Sequence, residues 1–208
     1  AANYVINDTY TVLAGGPDPL VNTATVTCSP VGFPNILTAS DSHSVQLFQP
    51  SVTIDKTGDT VSKVGDVVNY TITVDNTSSS DSPNLECTIT DAMLGIDQDV
   101  TLAWNAANYV INDTYTVLAG DPDPLVNTAT VTCSPTGFPN ILTASDDHTV
   151  QLFQPSVTID KTGDTLSKVG DVVNYTITVD NTSSNDSPDL VCTVSDPLLG
   201  INQPVTLA

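Results

Sequence analysis

One stretch of the chain occurs twice. Pro50 to Ser79 reads PSVTIDKTGDTVSKVGDVVNYTITVDNTSS, and Pro155 to Ser184 repeats it with a single change, Leu166 in place of Val61. The offset of 105 residues holds throughout, matching Cys28 to Cys133, Lys56 to Lys161 and Cys87 to Cys192. Residues 1–103 and 106–208 agree at 89 positions and differ at 14. A fixed period at such identity marks a repeat array. A unit of this length can bury a core of its own, where shorter solenoid repeats depend on neighbours.

Within the unit the apolar period is two, the period of a half-buried strand. Asn22, Ala24, Val26 and Cys28 share one face and Thr23, Thr25 and Thr27 the other. Val68, Tyr70, Ile72 and Val74 point one way, and Leu85, Cys87, Ile89 and Asp91 form a further inward set. Strands are predicted over 3–14, 20–28, 43–49, 52–56, 67–74, 85–91 and 100–104. Turns are predicted at GGPDP (15–19), KTGD (56–59), KVGD (63–66), SSSDSP (78–83) and Leu94-Gly95.

Counted from Pro50, about seven strands precede Gln154, the pattern of an all-β, immunoglobulin-like sandwich of two sheets. The unit is therefore expected at 50–154. Residues 1–49 are then the back half of one repeat and 155–208 the front half of another. The alternative register, 1–105 and 106–208, requires circularly permuted units. It is disfavoured because turn signals surround Pro50 and none marks WNAAN at 104–108. The chain starts at Ala1 and stops at VTLA, so a window from a longer, secreted precursor is expected.

Formal charge narrows the partners. With 24 acidic and 4 basic residues the net charge is −20, and Glu86 is the only Glu. Nucleic acid is excluded as a partner, since phosphate binding needs Lys and Arg. No run reaches about 18 consecutive apolar residues, so no membrane-spanning helix is expected. The acidity reads as a solvated, self-repelling surface; calcium held by Asp121, Asp123, Asp146 and Asp147 is the weaker alternative, and no other cofactor is expected.

The strand carrying Lys56, then Gly65-Asp66, Val68-Asn69-Tyr70-Thr71-Ile72-Thr73-Val74, Asn76-Thr77, Asp91 and Leu125 to Val131 follow a recognisable order. It resembles the conserved repeat domain of tandemly repeated bacterial and archaeal cell-surface proteins. The resemblance spans the whole unit. It implies an immunoglobulin-like sandwich serving in a stalk, fibre or envelope, with no shared catalytic activity.

Two constellations carry chemistry. Cys87 and Cys133 lie on inward faces of one unit, where they are either two packed thiols or a disulfide. Secretion favours the disulfide, worth about 3–4 kcal/mol for a loop of about 45 residues. Cys28 and Cys192 are then half-pairs whose partners lie in neighbouring repeats or chains.

Lys56 faces inward beside Val52 and Ile54, and a buried lysine needs a partner. Asp91 and Asn127 fall together if the two cysteine strands pair antiparallel. That trio is similar to the self-forming isopeptide sites of Gram-positive pilins and adhesins. The competing readings are a lysine that snorkels to solvent and a plain Lys56–Asp91 ion pair.

N-x-[ST] sequons at Asn7, Asn69, Asn76, Asn112, Asn174 and Asn181 are candidate N-glycosylation sites, with Asn69 facing out and Asn76 at a strand end. His43 and His148 lack metal-ligand neighbours. No nucleophile elbow, zinc helix or P-loop is present, so no enzyme activity is expected. The expectation is an extracellular, surface-located structural subunit that self-associates into a fibre or rod. An adhesin recognising a carbohydrate or protein is the alternative. Its loops should vary between units, whereas SSSDSP and SSNDSP barely differ.

Overall fold

A computed structural model describes residues 3–208, and all regular secondary structure among them is β. The strands are β1 (Leu20–Cys28), β2 (Leu37–Val45), β3 (Val52–Gly58), β4 (Val61–Ser62), β5 (Val67–Asn76), β6 (Leu85–Asp91) and β7 (Ile96–Leu102). They continue with β8 (Tyr109–Thr116), β9 (Leu125–Pro135), β10 (Leu142–Leu152), β11 (Val157–Gly163), β12 (Tyr175–Asn181), β13 (Leu190–Asp196) and β14 (Ile201–Leu207).

β3 to β10 form two sheets around a common core. One is ordered β3-β5-β8 and the other β4-β10-β9-β6-β7. All pairings are antiparallel except the short β4, which runs parallel to β10. The chain thus begins in the smaller sheet as β3 and crosses to the larger as β4, which ties the two edges together. Ile72 and Val74 of β5 face Leu85, Cys87 and Ile89 of β6 and Ala129, Val131 and Cys133 of β9, all fully or nearly fully buried. A second cluster gathers Val68, Tyr70, Val117, Leu125, Val150 and Leu152 at the other end. Alternation of buried residues with exposed or half-buried ones along β5 and β9 is what lets two sheets share one core.

Several predicted elements differ in the structure. Residues 3–14 carry no strand, although their copy 109–116 is β8. β8 exists because β5 pairs with it from Val67↔Thr116 to Val74↔Tyr109, and a strand lacking a neighbour's backbone has no ladder to join. β2 lies at Leu37–Val45 instead of 43–49, in register with β1 from Cys28↔Leu37 to Leu20↔Val45.

KTGD is not a turn at its start: β3 continues through Lys56 to Gly58, opposite Tyr70. Gly58 makes this possible, since a Cβ there would lie 2.5 Å from the Asn69 carbonyl oxygen. β7 covers Ile96–Leu102, leaving Trp104 outside, because the turn through Gly95 at φ 69° starts the return strand early.

The remaining strands make hairpins: β1-β2, β11-β12 and β13-β14. Their registers repeat those of β9-β10, β3-β5 and β6-β7 at the sequence offset, as in Val157↔Asn181 beside Val52↔Asn76. Their apolar faces are open. Val131 is fully buried while its counterpart Val26 is 54% exposed, and Tyr70 is 2% exposed against 41% for Tyr175.

Both junctions are clamped alike. The Gln49 amide donates to Ser79 Oγ (2.8 Å) and the Ser79 amide to the Gln49 carbonyl (2.9 Å); Gln154 and Ser184 repeat the pair at 2.9 and 3.0 Å.

Candidate functional site

The disulfide fixes the frame of the site. Cys87 on β6 and Cys133 on β9 stand directly opposite in register, with Cα atoms 4.0 Å apart and sulfurs bonded at 2.02 Å. Continuing that register past Thr90↔Thr130 sets Asp91 across from Ala129. Asn127 is then one same-face step further along β9. Such diagonal neighbours are about 7–8 Å apart at Cα, within reach of one another's side chains.

Lys56 approaches from the opposite sheet. Its Nζ donates to Asp91 Oδ2 at 2.6 Å, and both side chains are fully buried. The other Asp91 oxygen accepts the Leu94 amide at 3.0 Å, which fixes the carboxylate plane. The Lys56 backbone amide donates to Asp146 Oδ2 on β10 at 2.7 Å, anchoring β3 to the larger sheet. Snorkelling is thereby ruled out for Lys56, which is 2% exposed.

Asn127 is equally buried, and its Nδ2 has no hydrogen-bond partner. An unpartnered buried amide nitrogen costs about 1–3 kcal/mol. Tyr70 closes the pocket. Its ring centroid lies 4.5 Å from Lys56 Nζ, and its buried hydroxyl also lacks a partner. Burial, reinforced by the Asp91 charge, pushes the Tyr70 phenol up to about 12, so it stays protonated at ordinary pH.

Sequence reasoning placed Tyr70 and Asp146 without giving either a role here. The inward alternation of β5 was the available signal for Tyr70. Nothing local marks Asp146 as a ligand for a backbone amide 90 residues away.

The second copy of the pair is open. Lys161 still donates to Asp196, which holds the Asp196 carboxyl below the usual range, but Lys161 is 41% exposed. The residue matching Asn127 is Asn22, exposed on β1. Cys28 and Cys192 are free thiols, exposed and half-buried.

Asn7, Asn69, Asn112 and Asn174 are exposed. The carboxamide nitrogens of Asn69 and Asn174 already donate to Asp59 (2.9 Å) and Asp164 (3.0 Å). Asn76 departs from its expected accessibility. It is 8% exposed, and its Nδ2 donates to the Leu102 carbonyl at 2.9 Å inside the sandwich, so a glycan there would break a buried bond. Asn181, its copy, is half-buried, and its Oδ1 accepts the Ser183 amide.

The carboxylates considered for calcium have other work. Asp121 accepts Tyr115 Oη and the Leu118 amide, and Asp123 accepts the Leu152 amide. Asp147 is exposed, as is His43, and His148 Nε2 lies 3.0 Å from the Asp59 carbonyl oxygen. Among the described residues no three His, Cys, Asp or Glu side chains gather in metal-binding geometry. No helix among them is long and apolar enough to cross a membrane.

Two sheets, an edge crossing from β3 in one to β4 in the other and a core built by alternation define an immunoglobulin-like β-sandwich. No family model matches the chain, and no curated protein matches it. Among solved structures it is similar to the CARDB domain of the PF1109 protein of Pyrococcus furiosus, determined in complex with di-metal ions. That likeness has 17% identity and a TM-score of 0.34, covering 50% of this chain and 89% of the other.

Proposed function

We propose that the chain is part of an extracellular structural protein, a filament, stalk or surface layer assembled from tandem near-identical sandwiches. One observation carries the reading: inward-facing residues of 3–49 and 155–208 lie open where their counterparts in 50–154 are buried, as with Val26 against Val131 and Tyr175 against Tyr70. Ile177, Val179, Val194, Ile201, Val205 and Leu207 line an open trough of about 430 Å³, where β8 and β9 would lie in a complete unit. Tyr10, Val12 and Leu20 line the matching open face at the other end. A neighbouring unit supplies what each face lacks, with the complete sandwich as template for the joint.

The junctions suit a stiff array. Besides the paired Gln–Ser clamps, Phe48 before the junction packs edge-on against Phe138 of the following unit, with centroids 4.7 Å apart. Near-identical joints place each unit at the same rotation from the last, the condition for a rod or helical fibre.

Sedimentation velocity and electron microscopy of the purified 208-residue chain test the reading. Expected are linear oligomers that lengthen with concentration, each joint pairing the 155–208 half of one copy with the 3–49 half of the next. A monomer at every concentration overturns it.

A further inference from the structure

The geometry points to an intramolecular amide bond between Lys56 Nζ and Asn127 Cγ, formed by the folded sandwich itself with Asp91 as the catalytic residue. The bond lies within 50–154, so it stands or falls apart from the assembly of units. Three observations meet here. A primary amine and a carboxylate share a hydrogen bond of 2.6 Å with both side chains out of water. A carboxamide lies one same-face step from that carboxylate on the neighbouring strand. The carboxamide nitrogen is buried and, like the Tyr70 hydroxyl beside the amine, has no hydrogen-bond partner.

The chemistry closes without an outside reagent. The Lys56 ammonium passes a proton along its hydrogen bond to Asp91 Oδ2, leaving a neutral amine with a free electron pair. The amine attacks Asn127 Cγ, and protonated Asp91 donates to the carboxamide oxygen as negative charge develops there. A second proton moves from the attacking nitrogen to Nδ2, the Cγ–Nδ2 bond breaks, and ammonia departs carrying the proton that Asp91 had held. The ammonium of Lys56 and the carboxamide of Asn127 become a secondary amide and an ammonium ion, and Asp91 ends as the carboxylate it began as. The orphaned nitrogen is the leaving group, so the reaction removes the very atom the core cannot accommodate. The new N–H inherits Asp91 as acceptor. Tyr70 covers the amine with its ring, and the disulfide holds β6 and β9 in the required register.

The test is the intact mass of the reduced, deglycosylated chain, followed by tandem mass spectrometry of its digest. Expected is a deficit of about 17 Da that survives reduction, one lost ammonia per complete sandwich. Trypsin should fail to cut after Lys56, and a branched peptide should join the segments around Lys56 and Asn127. A cyclised asparagine gives the same deficit, but no branch and an intact cut at Lys56, and that result overturns the proposal. So does the full sequence mass with unlinked Lys56 and Asn127 peptides from folded protein. Asp91→Asn should keep the Cys87–Cys133 bridge, read as a gain of about 2 Da on reduction, and lose the deficit. A deficit and branch undiminished in Asp91→Asn would remove Asp91 from the mechanism.

Discussion

Single atoms decide two positions in this sandwich. Gly58 runs so close to β5 that any Cβ meets the Asn69 carbonyl oxygen at 2.5 Å and the Tyr70 ring at 3.0 Å. Gly58→Ala must push β3 off β5 and should destabilise the chain by about 1–3 kcal/mol in chemical denaturation.

Tyr70 behaves oppositely. Its hydroxyl is buried without a partner, so Tyr70→Phe removes an unsatisfied group and should leave stability unchanged or slightly raised. The phenol also sets an alkaline limit. Its folded value is raised to about 12 from 10.0, so the folded state holds the proton more tightly than the unfolded chain. This contribution is complete below pH 10 and is lost as pH rises through about 12. Ultraviolet titration of the folded protein should show two of its 6 tyrosines, Tyr70 and Tyr115, ionising later than an exposed phenol, with Tyr70 last, and Tyr70→Phe should abolish only that last step.

At the scale of strands, the repeat supplies an internal control that few proteins offer. Leu85 on β6 is fully buried, and its copy Leu190 on β13 is half-buried against an open face. Leu85→Ala should cost about 2–5 kcal/mol, a large-to-small loss in a closed core, and Leu190→Ala far less in dilute solution. Equal losses would mean that the hairpins are covered even in the isolated chain. Tolerance follows the same logic: Pro204 replaces Asp99 on the outermost strand of its sheet, where a missing amide breaks no ladder on the open side.

These strands were largely legible in the sequence because alternation reports burial directly, as in Val68, Tyr70, Ile72 and Val74. The misses have physical causes. Residues 3–14 alternate as well as 109–116 do, yet strand formation depends on a partner that local pattern does not encode. Asn76 reads as a strand end open to solvent, and only the return of β7 buries it against the Leu102 carbonyl. The trio of Lys56, Asp91 and Asn127 was legible because the cysteine pair sets the register. The contributions of Tyr70 and Asp146 depend on how the two sheets meet, which no strand pattern specifies.

For the molecule as a whole, charge and apolar surface act against each other. Each copy carries a formal charge of −20, so two copies repel at long range. The open faces attract only at contact, through apolar area that each joint would remove from water. Salt screens the first effect and leaves the second, so end-to-end association should strengthen as ionic strength rises. Weakening with salt would mean instead that charge pairs hold the joints.

A joint built on the template of 50–154 also brings Cys192 of one copy against Cys28 of the next, as Cys87 stands against Cys133. Under mild oxidation the associated chain should therefore give a ladder of covalent oligomers on non-reducing gels. Cys28→Ser should abolish the disulfide rungs while leaving the internal bridge and the reversible association intact. Lys161 and Asp196 would meet Asn22 in the same joint. If the amide chemistry of the closed unit operates there, part of the ladder should survive both reduction and Cys28→Ser, and disappear in Asn22→Ala. Cross-links formed through Cys28 pairing with Cys28, identified by peptide mapping, would show copies meeting head to head and would rule out the head-to-tail joint.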